Sequence, residues 1–103
     1  MAETTERLPP LHPGEILREE FLIPLGLSAG KVAKSLGVPR TRIERIVSEQ
    51  TGISADTAIR LERLLGTSAR FWMNAQAAYD LEKAQASGGD AVARIERIVP
   101  NAA

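Results

Sequence analysis

The stretch that most constrains this chain is 28–47, SAGKVAKSLGVPRTRIERIV. Its apolar positions recur at helical spacing twice, with a break between the two runs. In the first run Val32, Ala33 and Leu36 fall on one face. Gly37 follows, where a chain leaving a helix commonly needs a positive φ. Val38 is apolar inside the turn, and Pro39 suits a first helical position, where a missing N–H costs nothing. The second run buries Ile43, Ile46 and Val47 and leaves Arg40, Thr41, Arg42, Glu44 and Arg45 outside.

Ten residues separate Ala33 from Ile43, with the glycine four after the alanine. A small residue that permits a close crossing, a glycine corner and an isoleucine pin together make a helix-turn-helix. The face left outside is the one such a motif lays in the major groove of DNA. A plain helical hairpin is the alternative, but packing alone does not ask for so basic an outer face.

At 103 residues the chain is long enough for one domain with a modest core. No apolar run is long enough to span a bilayer, and the polar MAETTER start has no signal-peptide core, so the expected compartment is the cytoplasm. The chain has no cysteine, which excludes disulfides, thiolate metal sites and cysteine nucleophiles. Its formal net charge is zero, an argument against nucleic acid until the distribution is read. Glu3, Glu6, Glu15, Glu19 and Glu20 crowd the first twenty residues against Arg7 and Arg18. Lys31, Lys34, Arg40, Arg42 and Arg45 then face Glu44 alone. A chain polarised in this way can present a basic face to DNA.

Around the motif the order is as follows. Residues 1–11 read as a flexible arm ending in Pro9-Pro10. His12-Pro13-Gly14-Glu15 opens a first helix with Leu17 and Phe21 inward, and Pro24 and Gly26 end it above Leu25 and Leu27. His12 is the only histidine, and with no partner nearby it reads as a helix-start residue rather than a metal ligand or base. Ser28 is a good N-cap, and with Lys31 it would face a phosphate in the usual docking. After a polar loop at 48–52, Ser54 caps a fourth helix carrying Ala58, Leu61 and Leu65 inward, with Arg60 and Arg63 on its solvated face.

Thr67-Ser68 starts a fifth and longest helix, to about Ala86, with Phe71, Trp72 and Tyr79 along it. Small alanines between aromatics suit close packing, so Phe71, Trp72, Ala75, Ala78 and Tyr79 are expected both to close the core and to form a dimer face. Ser87-Gly88-Gly89 breaks this helix, and the tail to residue 103, with Val92, Ile95, Ile98 and Val99, fits either a helix or a strand. Residues 42–47 and 94–99 are both RIERIV, but nothing around the two copies is alike, so they mark no repeat. No Gly-rich phosphate loop, metal-ligand spacing or nucleophile with a base is present; no cofactor is expected, and the chain reads as a binder, not an enzyme.

The helix-turn-helix is similar to that of the phage-repressor class (XRE, Cro/CI-like). A longer pattern is more specific: HPGEIL at 12–17, LGV at 36–38, GISADTA at 52–58, Leu61, LGTS at 65–68, FWMN at 71–74, Gln76 and YDL at 79–81. Over roughly residues 11–84 this resembles the HigA-type antitoxins and VapI-like regulators. The resemblance implies an all-α, five-helix domain over 12–86, with the motif at 28–47 and a short C-terminal tail over 87–103. It also implies a homodimer that represses its own operon and neutralises a HigB-like mRNA endonuclease toxin. Carried onto this chain, Arg40, Thr41, Arg42 and Arg45 would read the groove, with Ser28, Lys31 and Gln50 near phosphates. The departure is Pro39, where many relatives carry a small polar cap. Two other readings remain open: a stand-alone XRE regulator without a toxin, and a toxin binder with weak DNA binding that presents the acidic face around Glu15, Glu19 and Glu20.

Overall fold

His12 decides where the first helix begins. Its Nδ1 accepts a hydrogen bond from the Gly14 N–H at 2.8 Å, and Pro13 fills the first helical position behind it. This is the helix-start role expected of it. The computed structural model describes residues 10–100, so the expected arm up to Pro9 and residues 101–103 lie outside the described part.

Helix α1 spans residues 13–25 as one rod with a loosened middle: an α-turn Pro13–Ile16, a π-helical stretch Leu17–Leu22 and a last turn Ile23–Leu25. Pro24 has no N–H to join an ordinary ladder, and the turn ahead of it widens. The Ile23 N–H donates to the Arg18 carbonyl, five residues back. The inward pair is therefore Leu17 and Leu22, five apart, and Phe21 is only half-buried. Leu25, expected beneath the helix, is exposed, whereas Leu27 packs on the core. Gly26 ends the rod at φ 66°.

The remaining elements follow at the expected places. Helix α2 (Ala29–Leu36) is capped by Ser28 and ended by Gly37 at φ 74°. Helix α3 (Arg40–Val47) follows Pro39, which stands at the N-cap and not inside the helix, and offers no side-chain cap. Helix α4 (Ala55–Leu65) is capped by the Ser54 Oγ, which accepts from the Thr57 N–H at 3.2 Å. Helix α5 (Ala69–Ser87) is capped by Ser68, and a short α6 (Gly89–Ala93) follows. The tail is thus a brief helix running into irregular chain, and among the described residues the fold is all-α with six helices.

The core gathers Leu17, Val32, Ala33, Ile43, Ile46, Leu61 and Trp72. Trp72, expected both to close the core and to form a dimer face, takes the core role, 0% exposed within its own chain. Its Nε1 donates to the Thr67 Oγ1 at 2.7 Å, and Phe21 and Phe71 flank the ring at 5.8 and 5.0 Å. A ring buried to this degree has no surface left for a partner.

Three devices fix α3. The first is steric: a Cβ on Gly14 would collide with the Ile46 carbonyl, so only glycine lets α1 approach α3 this closely. The second is Arg18, which donates to the Val47 carbonyl at the end of α3 and pairs with Glu49 at 3.2 Å and Glu19 at 3.0 Å. Its pKa is raised, first by the bond to Glu19. The third is a shared carboxylate. Asp56 accepts from Arg42 at 2.6 Å and from Arg60 at 3.0 Å, while Arg60 also donates to the Leu36 carbonyl at 2.8 Å. Arg60, expected to be merely solvated, thus closes the end of α2 and ties it to α4.

Two tests follow from these devices. Gly14→Ala is expected to cost about 1–3 kcal/mol in a urea unfolding series, the usual scale for overpacking. Asp56 is held below the ordinary carboxylate range, chiefly by Arg42 and then by Arg60. A depressed folded-state pKa adds stability that is present above the unfolded value, about 3.9, and lost as pH falls through the folded one. Asp56→Asn is therefore expected to flatten the acid limb of a melting-temperature-against-pH curve and to lower the plateau slightly at neutral pH.

Candidate nucleic-acid interface

The outer face of α3 follows from its inner one. With Ile43 and Ile46 buried, a 3.6-residue period turns Thr41, Glu44 and Arg45 outward, and all three are exposed. Arg40 and Arg42 fall on opposite flanks. Arg42 leans toward α4, where Nη1 donates to the Asp56 Oδ2 at 2.6 Å and reaches the Thr57 Oγ1 at 3.4 Å. Arg40 leans toward α2, pairing with Glu44 at 3.3 Å and lying across Gly30. A Cβ at residue 30 would stand 3.0 Å from the Arg40 Cδ, so the glycine keeps this path open.

An open cleft between α2 and α3 collects Ser28, Lys31, Lys34 and Arg40, with Gly30 and Ser35 in its wall. The Ser28 Oγ accepts from the Lys31 N–H at 3.0 Å, which leaves its own O–H free to donate outward. The amide end of α2, two lysines and an arginine therefore open on one concavity, an arrangement that suits an anion. Gln50 lies apart from this cleft, in the exposed loop after α3, where its N–H donates to the Arg45 carbonyl at 2.8 Å.

The predicted DNA-contact residues thus divide. Ser28, Lys31 and Arg40 meet in the cleft, Thr41 and Arg45 stand on the adjoining ridge, and Arg42 is held by an acidic partner on α4. Sequence reading had no access to that partner, because a 14-residue separation carries no periodic signal. Gln76 was visible only as part of the family pattern. Its Oε1 accepts from the Ile53 N–H at 2.7 Å and its Nε2 donates to Asp80 at 3.0 Å, which fixes the loop behind α3 to α5.

Of the expected dimer residues besides Trp72, Phe71 and Ala78 are exposed, and Ala75 and Tyr79 are half-buried. Tyr79 stands edge-on to His12 at 4.7 Å, with the Lys83 Nζ 5.5 Å above its ring. Among the described residues, no group of three acidic, histidine or cysteine side chains is placed to hold a metal. None of their helices is long and apolar enough to cross a membrane.

Known proteins share this fold. The helix-turn-helix family matches residues 17–72, from the middle of α1 into α5. Virulence-associated protein I of Dichelobacter nodosus is 58% identical over 78 residues, 76% of this chain and 72% of that protein. The Pseudomonas aeruginosa antitoxin HigA, solved with the higBA promoter, is 48% identical with a TM-score of 0.83, covering 87% of this chain and 99% of that one. The antitoxin GraA in complex with its operator is 42% identical with a TM-score of 0.84, covering 94% and 99%. The chain belongs to the XRE-type helix-turn-helix family, among its HigA-type antitoxins and VapI-like regulators.

Proposed function

We propose that this chain is a cytoplasmic, homodimeric repressor of its own operon and the antitoxin of a HigB-like, RNA-cleaving toxin. The observation that carries the DNA-binding role is the bare outer face of α3, with Thr41 and Arg45 exposed beside the basic cleft of Ser28, Lys31 and Arg40. Relatives solved on promoter and operator DNA support it. Two copies of α3 enter successive major grooves about 34 Å apart on a palindromic site. Arg45, with its guanidinium in no ion pair among the described residues, forks onto a guanine edge. Ser28, Lys31 and Lys34 hold phosphates and set the register, and Arg42 acts through Asp56 by setting the tilt of α3.

The names of the relatives support the antitoxin role. A toxin binder with little DNA affinity is the weaker reading, because Glu19, one of the acidic groups it needs, is already paired with Arg18. The dimer is assigned to the flank of α5 that carries Phe71, Ala75 and Ala78, with Tyr79 behind it and Trp72 excluded by its burial. The chemistry is that of a binder; no step is catalysed.

A gel-shift titration on the protein's own promoter, repeated across a salt series, tests the DNA assignment. Arg45→Ala is expected to weaken operator binding by about 1–3 kcal/mol and to relax selectivity at one base pair. Lys31→Ala is expected to weaken binding to all sequences alike and to lower the salt slope by about 1. Wild-type binding by both variants would remove α3 from the groove.

A further inference from the structure

We propose that Glu44 reads a base: its carboxylate accepts from the N4 amino group of a cytosine in each half-site, and Arg40 ties it to the flanking phosphate. The inference rests on the reading of α3 as the groove helix and goes beyond it by naming a base and the side chain that selects it.

Position comes first. Each residue turns an α-helix by about 100°, so the line opposite Ile43 and Ile46 runs close to Thr41, with Glu44 and Arg45 about 50° to either side. All three are exposed, and Glu44 is the one acidic residue of α3. A carboxylate here does little for the helix. It stands in the C-terminal half, toward the negative end of the dipole. Its i,i+4 partner Arg40 precedes it, the less favourable order for such a pair. On a duplex it also meets phosphates, which repel it whatever the sequence. Such a group lowers affinity everywhere except where it finds a donor.

The major groove offers amino donors from two bases only, cytosine N4 and adenine N6. Adenine sets its N7 acceptor beside N6, whereas cytosine has only a C–H beside N4. Guanine and thymine present acceptor oxygens. Three of the four bases therefore turn a lone pair toward the carboxylate, and cytosine alone does not. Selection works by repulsion of the wrong bases as much as by attraction of the right one.

Arg40 supplies direction. Its Nε stands 3.3 Å from the Glu44 Oε2, which leaves Oε1 to face a base. Its stem lies across Gly30 on the wall of the cleft that holds Ser28, Lys31 and Lys34. A guanidinium has N–H groups to spare after one such pair, so the same side chain holds the carboxylate and a phosphate together. On the other flank Arg45 donates where Glu44 accepts, and the two neighbours discriminate by opposite means.

A gel-shift panel tests the assignment, using the protein's own promoter fragment and versions in which each base pair of one half-site is changed in turn to the other three. Glu44→Ala is expected to weaken binding to the best site about tenfold per half-site, to lose the preference at one G·C pair only, and to bind random DNA more tightly than the parent does. Glu44→Gln, nearly the same size, is expected to move the preference at that pair from cytosine toward adenine, which a merely structural side chain cannot do. Arg40→Gln is expected to lower the salt slope by about 1 and to blur the same cytosine preference without moving it. If the parent prefers its promoter while Glu44→Ala keeps every base preference, or loses one at an A·T pair, the cytosine contact is overturned and the repressor reading stands. A parent that binds its promoter no better than random DNA overturns both.

Discussion

The contact on which the rest depends is backbone against backbone. The first turn of α1 meets the Ile46 carbonyl of α3 where Gly14 leaves room for nothing larger. His12 holds that turn in shape by taking the Gly14 N–H, and Tyr79 of α5 packs edge-on against the His12 ring. A line of direct contacts thus runs from α5, the proposed dimer helix, through His12 and Gly14 to the helix proposed to enter the groove. Packed interiors yield little, so movement at one end of such a line is felt at the other. If α5 sets the spacing between two protomers, this line carries that spacing to α3, and half-site selection becomes a property of the core as much as of the side chains on the DNA face.

The cations of this chain do two different jobs, and net charge conceals the division. Arg18, Arg42 and Arg60 donate to carbonyls or carboxylates at helix ends, where a planar fork reaching two acceptors is worth more than a point charge. Lys31 and Lys34 line the open cleft and take part in no ion pair among the described residues. Of the cations near α3, only some are left for phosphate. A formal charge of zero is therefore compatible with a basic recognition face, because the acidic groups sit on other elements or already hold arginines.

What was legible in the sequence was what is local. Ala33, Gly37, Ile43 and Ile46 mark the motif within one short window, and the caps at Ser28, Ser54 and Ser68 lie beside the helices they start. The misreadings share a cause, which is geometry set from outside the window. Pro24 widens the turn before it, so Leu22 joins Leu17 in the core while Phe21, also expected inward, packs half-buried against Trp72. Trp72 was expected to serve both core and dimer face, and only the placement of α1, with Phe21 against its ring, gives it wholly to the core. Arg42 and Arg60 find their acceptors 14 and 24 residues away, a distance over which periodicity says nothing. The outer face of α3 was legible because exposure on a short amphipathic helix follows from its buried positions. The arginine that left that face did so for a long-range partner.

The two copies of RIERIV isolate the reason. Propensity and residue order are the same in both, so neither explains why 42–47 is helical and 94–99 is not. The difference lies in the surroundings. The first copy starts behind Pro39 and lays its isoleucines against Val32, Ala33 and Leu36; the second follows a glycine pair and projects into solvent. Helical pattern in a sequence is therefore a statement about a surface to be met, and the monomer need not supply that surface. Apolar period continues past the last packed residue, beyond Ser87, where Val92, Ile95 and Ile98 stand exposed in the monomer. In a molecule proposed to read a two-fold site, a second copy of itself is the partner always at hand.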